Sequence, residues 1–128
     1  MKKIILSLLL LTSLNLLAQE TYWTDYAFNV EVEDEEIVTK LTHDYFSSPN
    51  SKAEGVTVLL CENHFKHSSN NASHTIVFTG TLDAMGKQYA QGNNLSWDLF
   101  LTKLHRYTKS HSSAAGRSLI SIGVPGSY

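Results

Sequence analysis

From residue 26 the chain alternates apolar and polar side chains. Ala27-Phe28-Asn29-Val30-Glu31-Val32 has a period of two. This predicts a half-buried strand with Phe28, Val30 and Val32 on one face and Asn29 and Glu31 on the other. The period then lengthens. Ile37, Val38, Leu41, Tyr45 and Phe46 form one stripe of an amphipathic helix over residues 34–47, with Asp34 at its N-cap. The helix stops before Pro49, which disfavours helical backbone at the residue ahead of it. Gly55 opens a second strand over residues 56–62, and Thr75-Ile76-Val77-Phe78-Thr79 forms a third. Residues 63–73 are a polar stretch between them. Residues 80–94, with Gly86 and Gly92, read as a loop, with Asp83-Ala84-Met85-Gly86 as a turn. Trp97, Phe100, Leu101 and Leu104 repeat at helical spacing and predict a second helix over 95–109, capped by Asn94. Residues 110–116 read as a Ser/Ala/Gly link, and 117–122, with Leu119, Ile120 and Ile122, as a fourth strand.

The order β-α-β-β-α-β in about a hundred residues points to an α+β fold. It predicts the ferredoxin-like split βαβ arrangement, a four-stranded antiparallel sheet with two helices on one face. Right-handed crossovers place the first and third strands in the centre.

Ahead of this domain lies a different pattern. Met1-Lys2-Lys3 precedes an apolar run from Ile4 to Leu11, then Leu14, Leu16, Leu17 and Ala18. A cationic start, a short apolar core and a small residue describe a cleaved export signal over residues 1–18. The run is too short and too diluted by Ser and Thr to span a membrane of ~20 residues' depth. Residues 19–25, with Tyr22 and Trp23, read as a lead-in, and residues 26–128 as one domain exported to a periplasmic or extracellular location. With Lys2 and Lys3 removed, the 10 basic side chains fall to 8 against 12 acidic ones, a formal charge of −4. No basic stripe remains for nucleic acid, and no membrane association is expected after cleavage. The longest charge run, Glu31 to Glu36, suits a helix N-terminus. A lone Cys61 forbids an intrachain disulfide and reads as a small hydrophobe within a strand.

With Leu60 placed opposite Phe78, the helix-facing side of the second and third strands carries Val56, Val58, Leu60, Ile76 and Phe78. The open side carries Thr57, Leu59, Cys61, Thr75, Val77 and Thr79, with Asn29 and Glu31 from the first strand. That mixture is too apolar for water and too polar for a core. It predicts a face that binds a second copy of the chain, or a small apolar ligand between two copies. The same register puts His64 opposite His74, close enough for two metal ligands, with Glu62 or His67 as a third. An exposed ribbon tip that happens to contain His accounts for these residues better, and no spacing motif completes a ligand set. No metal is assigned, and His64 and His74 stand as the pair to check. No P-loop, Rossmann fingerprint, nucleophile elbow or zincin motif occurs, so no cofactor is expected.

The strands at 26–32, 56–61 and 75–79, together with the Ile37–Phe46 and Trp97–Leu104 stripes, resemble the dimeric α+β-barrel superfamily, which includes antibiotic-biosynthesis-monooxygenase-like proteins. The resemblance implies two sheets closing face to face around a cavity. It transfers no activity by itself. Two function classes follow. One is an exported, dimerising ligand- or protein-binding module. The other is a cofactor-free, oxygenase-like small enzyme whose polar groups would come from Asn29, Glu31, His43 or His105.

Overall fold

The computed structural model describes residues 20–66, 71–92 and 94–123; the leader at 1–18 lies outside them. Four strands form one sheet: β1 (Tyr22–Val30), β2 (Thr57–Glu62), β3 (His74–Gly80) and β4 (Thr108–Arg117). Their order is β2-β3-β1-β4, and every neighbouring pair is antiparallel. Strands one and three are therefore central, as the crossover rule requires. A single 3-10 turn, Val32–Asp34, leads into helix α1 (Glu35–Phe46). Two more helices, α2 (Leu82–Ala90) and α3 (Leu95–His105), connect β3 to β4. This is the ferredoxin-like α+β arrangement, with α2 as an added element.

The core lies between the helices and one face of the sheet. Phe28, Val30, Ile76 and Phe78 meet Val38, Met85, Phe100 and Leu104 there, with Val58 and Leu60 at the margin. Aromatic rings knit it together. Tyr45 stacks on Phe100 at 4.6 Å, Phe46 meets Phe78 edge-on at 5.5 Å, and Trp97 lies 5.6 Å from Phe100. The Trp97–Leu104 stripe thus buries as its spacing predicts. Asn94 caps α3 by accepting from the Ser96 and Trp97 amides.

Several expectations need correction. The first strand begins at Tyr22, inside the expected lead-in, because β3 and β4 both pair with it from that residue onward. It ends before Val32, which is 90 % exposed in the 3-10 turn. On α1 the buried stripe is rotated away from Ile37 toward Val38 and Thr42; the Thr42 hydroxyl is satisfied by the Val38 carbonyl. Asp34 takes the N-cap position without a side-chain hydrogen bond. The expected loop after β3 contains α2, capped by the Thr81 hydroxyl, so Asp83 to Gly86 are helical. The fourth strand is the Ser/Ala/Gly stretch itself. Leu119, Ile120 and Ile122 lie beyond it and are exposed. The free edge of β1 supplies the reason: its backbone groups need partners, and the neighbouring segment pairs with them despite weak strand propensity.

Candidate functional site

A cavity of about 390 Å3 opens between α3 and the helix-facing side of the sheet. Its origin is a mismatch in side-chain size. On β4 the residues opposite Tyr26 and Thr24 are Ser113 and Ala115, too small to reach the helix. The facing side chains of α3 are Trp97, Phe100, Leu101 and Leu104. The gap left between them is walled by Phe28, Phe46, Ile76 and Phe78, and its polar side chains include Tyr26, His105, His111 and the β4 serines.

His111 reaches this cavity because β4 is bulged. Ala27 pairs with Ser112 and Asn29 with Lys109, so Ser110 and His111 together oppose the single residue Phe28. Two residues against one define a β-bulge. Ser110 takes the strained conformation, φ 59°. Without the extra residue, His111 would fall opposite Ala27 and point to the other face of the sheet. With it, the imidazole lies 6.3 Å from the Phe28 ring and 4.7 Å from that of His105.

Hydrogen bonds select the tautomer. The Thr108 hydroxyl donates to the Leu104 carbonyl at 3.0 Å. Its oxygen therefore accepts from His111 Nε2–H at 2.8 Å, and Nδ1 is left as the basic nitrogen. Burial, then the neighbouring His105 charge, hold the His111 pKa below its ordinary value. The imidazole is therefore neutral, and a proton acceptor, at neutral pH.

A second space of about 140 Å3 adjoins the first, with Tyr26, Phe78 and Trp97 common to both walls. Here Tyr89, delivered by α2, lies within hydrogen-bond distance of two hydroxyls: Thr24 Oγ1 at 2.5 Å and the Tyr26 hydroxyl at 2.7 Å. Burial, then the Tyr89 hydrogen bond, push the Tyr26 phenol well above its usual range. It stays protonated and able to donate.

The open face is assembled as the alternation predicts. Thr57 pairs with Thr79, Leu59 with Val77 and Cys61 with Thr75. The observed register differs by two residues from the expected one, which leaves every side chain on its predicted face because the period is two. Cys61 is half-buried there. Asn29 accepts from the Ser73 amide at 3.0 Å, so its side chain ties β1 to the start of β3. Glu31 lies past the end of β1 and pairs with Lys109 at 2.7 Å. That hydrogen bond and charge hold the Glu31 carboxyl below its usual range.

The register slip separates the proposed histidine pair. His74 faces Glu62, not His64. It is buried against Phe28, receives the Ser73 hydroxyl at Nδ1 and donates from Nε2 to Glu35 at 3.0 Å. His64 is exposed and pairs with Glu62 at 3.1 Å. Among the described residues no group of three or more His, Cys, Asp or Glu is arranged to hold a metal; His67 lies outside them. His43 is exposed on α1 beside Asp44, away from the cavity. Of the expected polar groups, His105 lines it. His111 and Tyr89 were not legible as site residues. One sits in a segment that reads as a link and the other in a segment that reads as a loop.

A scan of protein-family models finds no match to this chain, and a search of curated proteins finds none either. Among solved structures, the chain is similar to SnoaB, a cofactor-independent oxygenase from Streptomyces nogalater. An asparagine-to-alanine variant of that protein matches with TM-score 0.45 and 19 % identity over 84 % of this chain and 99 % of the other. A 1.9 Å structure of SnoaB matches with TM-score 0.40 and 17 % identity over the same shares. The fold assignment rests on the strand order, not on these likenesses.

Proposed function

We propose that this chain is a small oxygenase-like enzyme that holds a planar, electron-rich hydroxyarene in the cavity between α3 and the sheet. The observation that carries this proposal is the aromatic cavity with the basic Nδ1 of a neutral His111 at its polar rim. Its volume suits a ligand of two or three fused rings, and a base beside an apolar chamber suits proton abstraction from a bound phenol. Once the phenol loses its proton to His111, the ring is rich enough to pass an electron to dioxygen. The two radicals join at the para carbon as a hydroperoxide, which loses water to leave a quinone. One oxygen atom enters the product, the other leaves as water, and the substrate supplies the electrons.

The test is oxygen uptake with 1-naphthol. The expected result is one dioxygen consumed per 1,4-naphthoquinone formed, with turnover lowered by 10²–10⁴-fold in His111→Ala. Binding of 1-naphthol with no oxygen uptake would overturn the catalytic step and leave a ligand-binding module. Failure to bind would overturn both.

The proposal extends to assembly and location. Half-exposed Leu59 beside Val77, with Trp23 beside Thr79 on the same sheet face, supports a homodimer through that face. The cationic and apolar leader supports export. Among the described residues no helix is long and apolar enough to cross a membrane.

A further inference from the structure

Amide side chains meet an aromatic wall in the smaller space, of about 140 Å3. Gln88, Gln91 and Asn94 come at intervals of three where α2 ends and α3 begins, and all of them line it. Two have their oxygens already committed. Gln88 Oε1 accepts from the Ala53 amide at 2.7 Å, and Asn94 Oδ1 accepts from the Ser96 and Trp97 amides. What each has left is its NH2 group, a pair of N–H donors that no acceptor among the described residues takes up. Gln91, exposed at the rim, adds another amide. The aromatic wall is Tyr45 and Trp97, 5.8 Å apart and both packed against Phe100 in the core. Their positions are therefore set before any ligand arrives.

We infer that this space is a binding site for one neutral pyranose ring, a monosaccharide held between the aromatic wall and the amides of Gln88, Gln91 and Asn94. A pyranose joins a face of C–H groups to an edge of hydroxyls. The C–H face suits the ring surface of Trp97 or Tyr45, and the hydroxyl oxygens accept from the amide donors. Other ligand classes fit less well. None of the described residues lining the space is charged, so an ion would give up its hydration and gain no counter-charge. An apolar ring would leave the amides without partners. The volume lies below the roughly 300–1,000 Å3 of sites for drug-sized ligands, which limits the occupant to one small ring. Exposed Gln91 and Gly92 form the mouth through which it enters. The inference does not rest on the oxygenase reading, whose base, His111, lines the other space.

Titrating the nitrogen-15-labelled protein with methyl α-D-glucopyranoside, methyl α-D-mannopyranoside and methyl β-D-galactopyranoside tests this. Cyclohexanol serves as a ring of similar size without the edge of hydroxyls. The expected result is a Kd of about 1 mM for at least one glycoside, the scale that so small a ligand reaches. Cyclohexanol should bind about tenfold more weakly, for want of the amide hydrogen bonds. The side-chain amide signals of Gln88 and Asn94 and the indole N–H of Trp97 should shift as the glycoside is added. Gln91→Ala and Asn94→Ser should each weaken glycoside binding about three- to tenfold, the range of one net hydrogen bond. The first removes an exposed side chain, and the second keeps an oxygen that can cap α3. If Asn94→Ser does not fold, Gln91→Ala and the amide shifts decide. No binding by any of the glycosides at tens of millimolar overturns the site. Equal binding of cyclohexanol overturns the pyranose assignment. Glycoside binding that leaves these amides unshifted and survives the variants places the sugar elsewhere and overturns it too.

Discussion

His111 gathers three constraints on one side chain. The Thr108 hydroxyl takes Nε2–H, the bulge turns the ring toward Phe28, and His105 adds a like charge nearby. Burial, as the first cause, and His105, as the second, both lower the His111 pKa. The native state therefore prefers the neutral ring. Stability from this group is complete above the ordinary value of 6.5 and is lost as pH falls below it, because the unfolded chain takes up the proton first. An imidazole titration by NMR should place His111 below that value. In His105→Gln its pKa should rise part of the way back, since the burial contribution stays. If catalysis uses this base, the acid limb of the pH–rate profile moves up with it. A titration unchanged by His105→Gln would show that the two rings do not share a field.

At the scale of elements, the bulge in β4 and the inner stripe of α3 carry the site. Ser110 holds φ 59°, a conformation that costs L residues roughly 1–2 kcal/mol and glycine almost nothing. Ser110→Gly should hold or raise the melting temperature. Ser110→Val should lower stability by about 1–2 kcal/mol or more, because a β-branched side chain tolerates that region least. Denaturant melts of both variants check this, and equal stability would mean that the bulge relaxes. On α3, Phe100 is 5 % exposed and stacked on Tyr45, whereas Leu95 is 74 % exposed. Phe100→Ala should cost roughly 3–5 kcal/mol, a large share of a stability of about 5–15 kcal/mol. Leu95→Gln should stay within about 0.5 kcal/mol. A neutral Phe100→Ala would place the wrong face of α3 against the sheet.

For the whole molecule, the uncovered sheet face is the matter to test. It mixes Thr57, Thr75 and Thr79 with Leu59, Val77 and Trp23. The Trp23 ring lies so close to Gly116 that a Cβ there would stand 2.5 Å from it, so the ring covers the glycine at that corner. The proposed dimer should appear in sedimentation at micromolar concentration. Leu59→Lys should shift it toward monomer, because an unpaired charge is costly in an interface. A protein that is monomeric at high micromolar concentration would place function wholly in the cavity on the other side of the sheet. Thermal melting should be unchanged by chelator, since His74 is engaged by Glu35 and Ser73 and not by His64.

The sequence by itself determined the fold class, the two central strands, the inner faces of β2 and β3, and the buried stripe of α3. Each of these is written in a local period of apolar side chains, and burial rewards such a period wherever the chain goes. It also determined that Asn94 caps a helix, a bond between near neighbours. Tertiary structure decided the rest. Thr108 to Arg117 became a strand because β1 offered unpaired backbone groups, which no local propensity records. The register moved by two residues without changing any face, so the alternation was blind to the slip: every cross-strand partner changed, His74 coming to face Glu62 in place of His64. The cavity exists because small residues on β4 stand across from large ones on α3, a relation between segments that no pattern within either of them contains. His111 and Tyr89 entered the candidate site through a bulge and an added helix. Both are products of pairing and packing across the fold, not of the residues beside them in the chain.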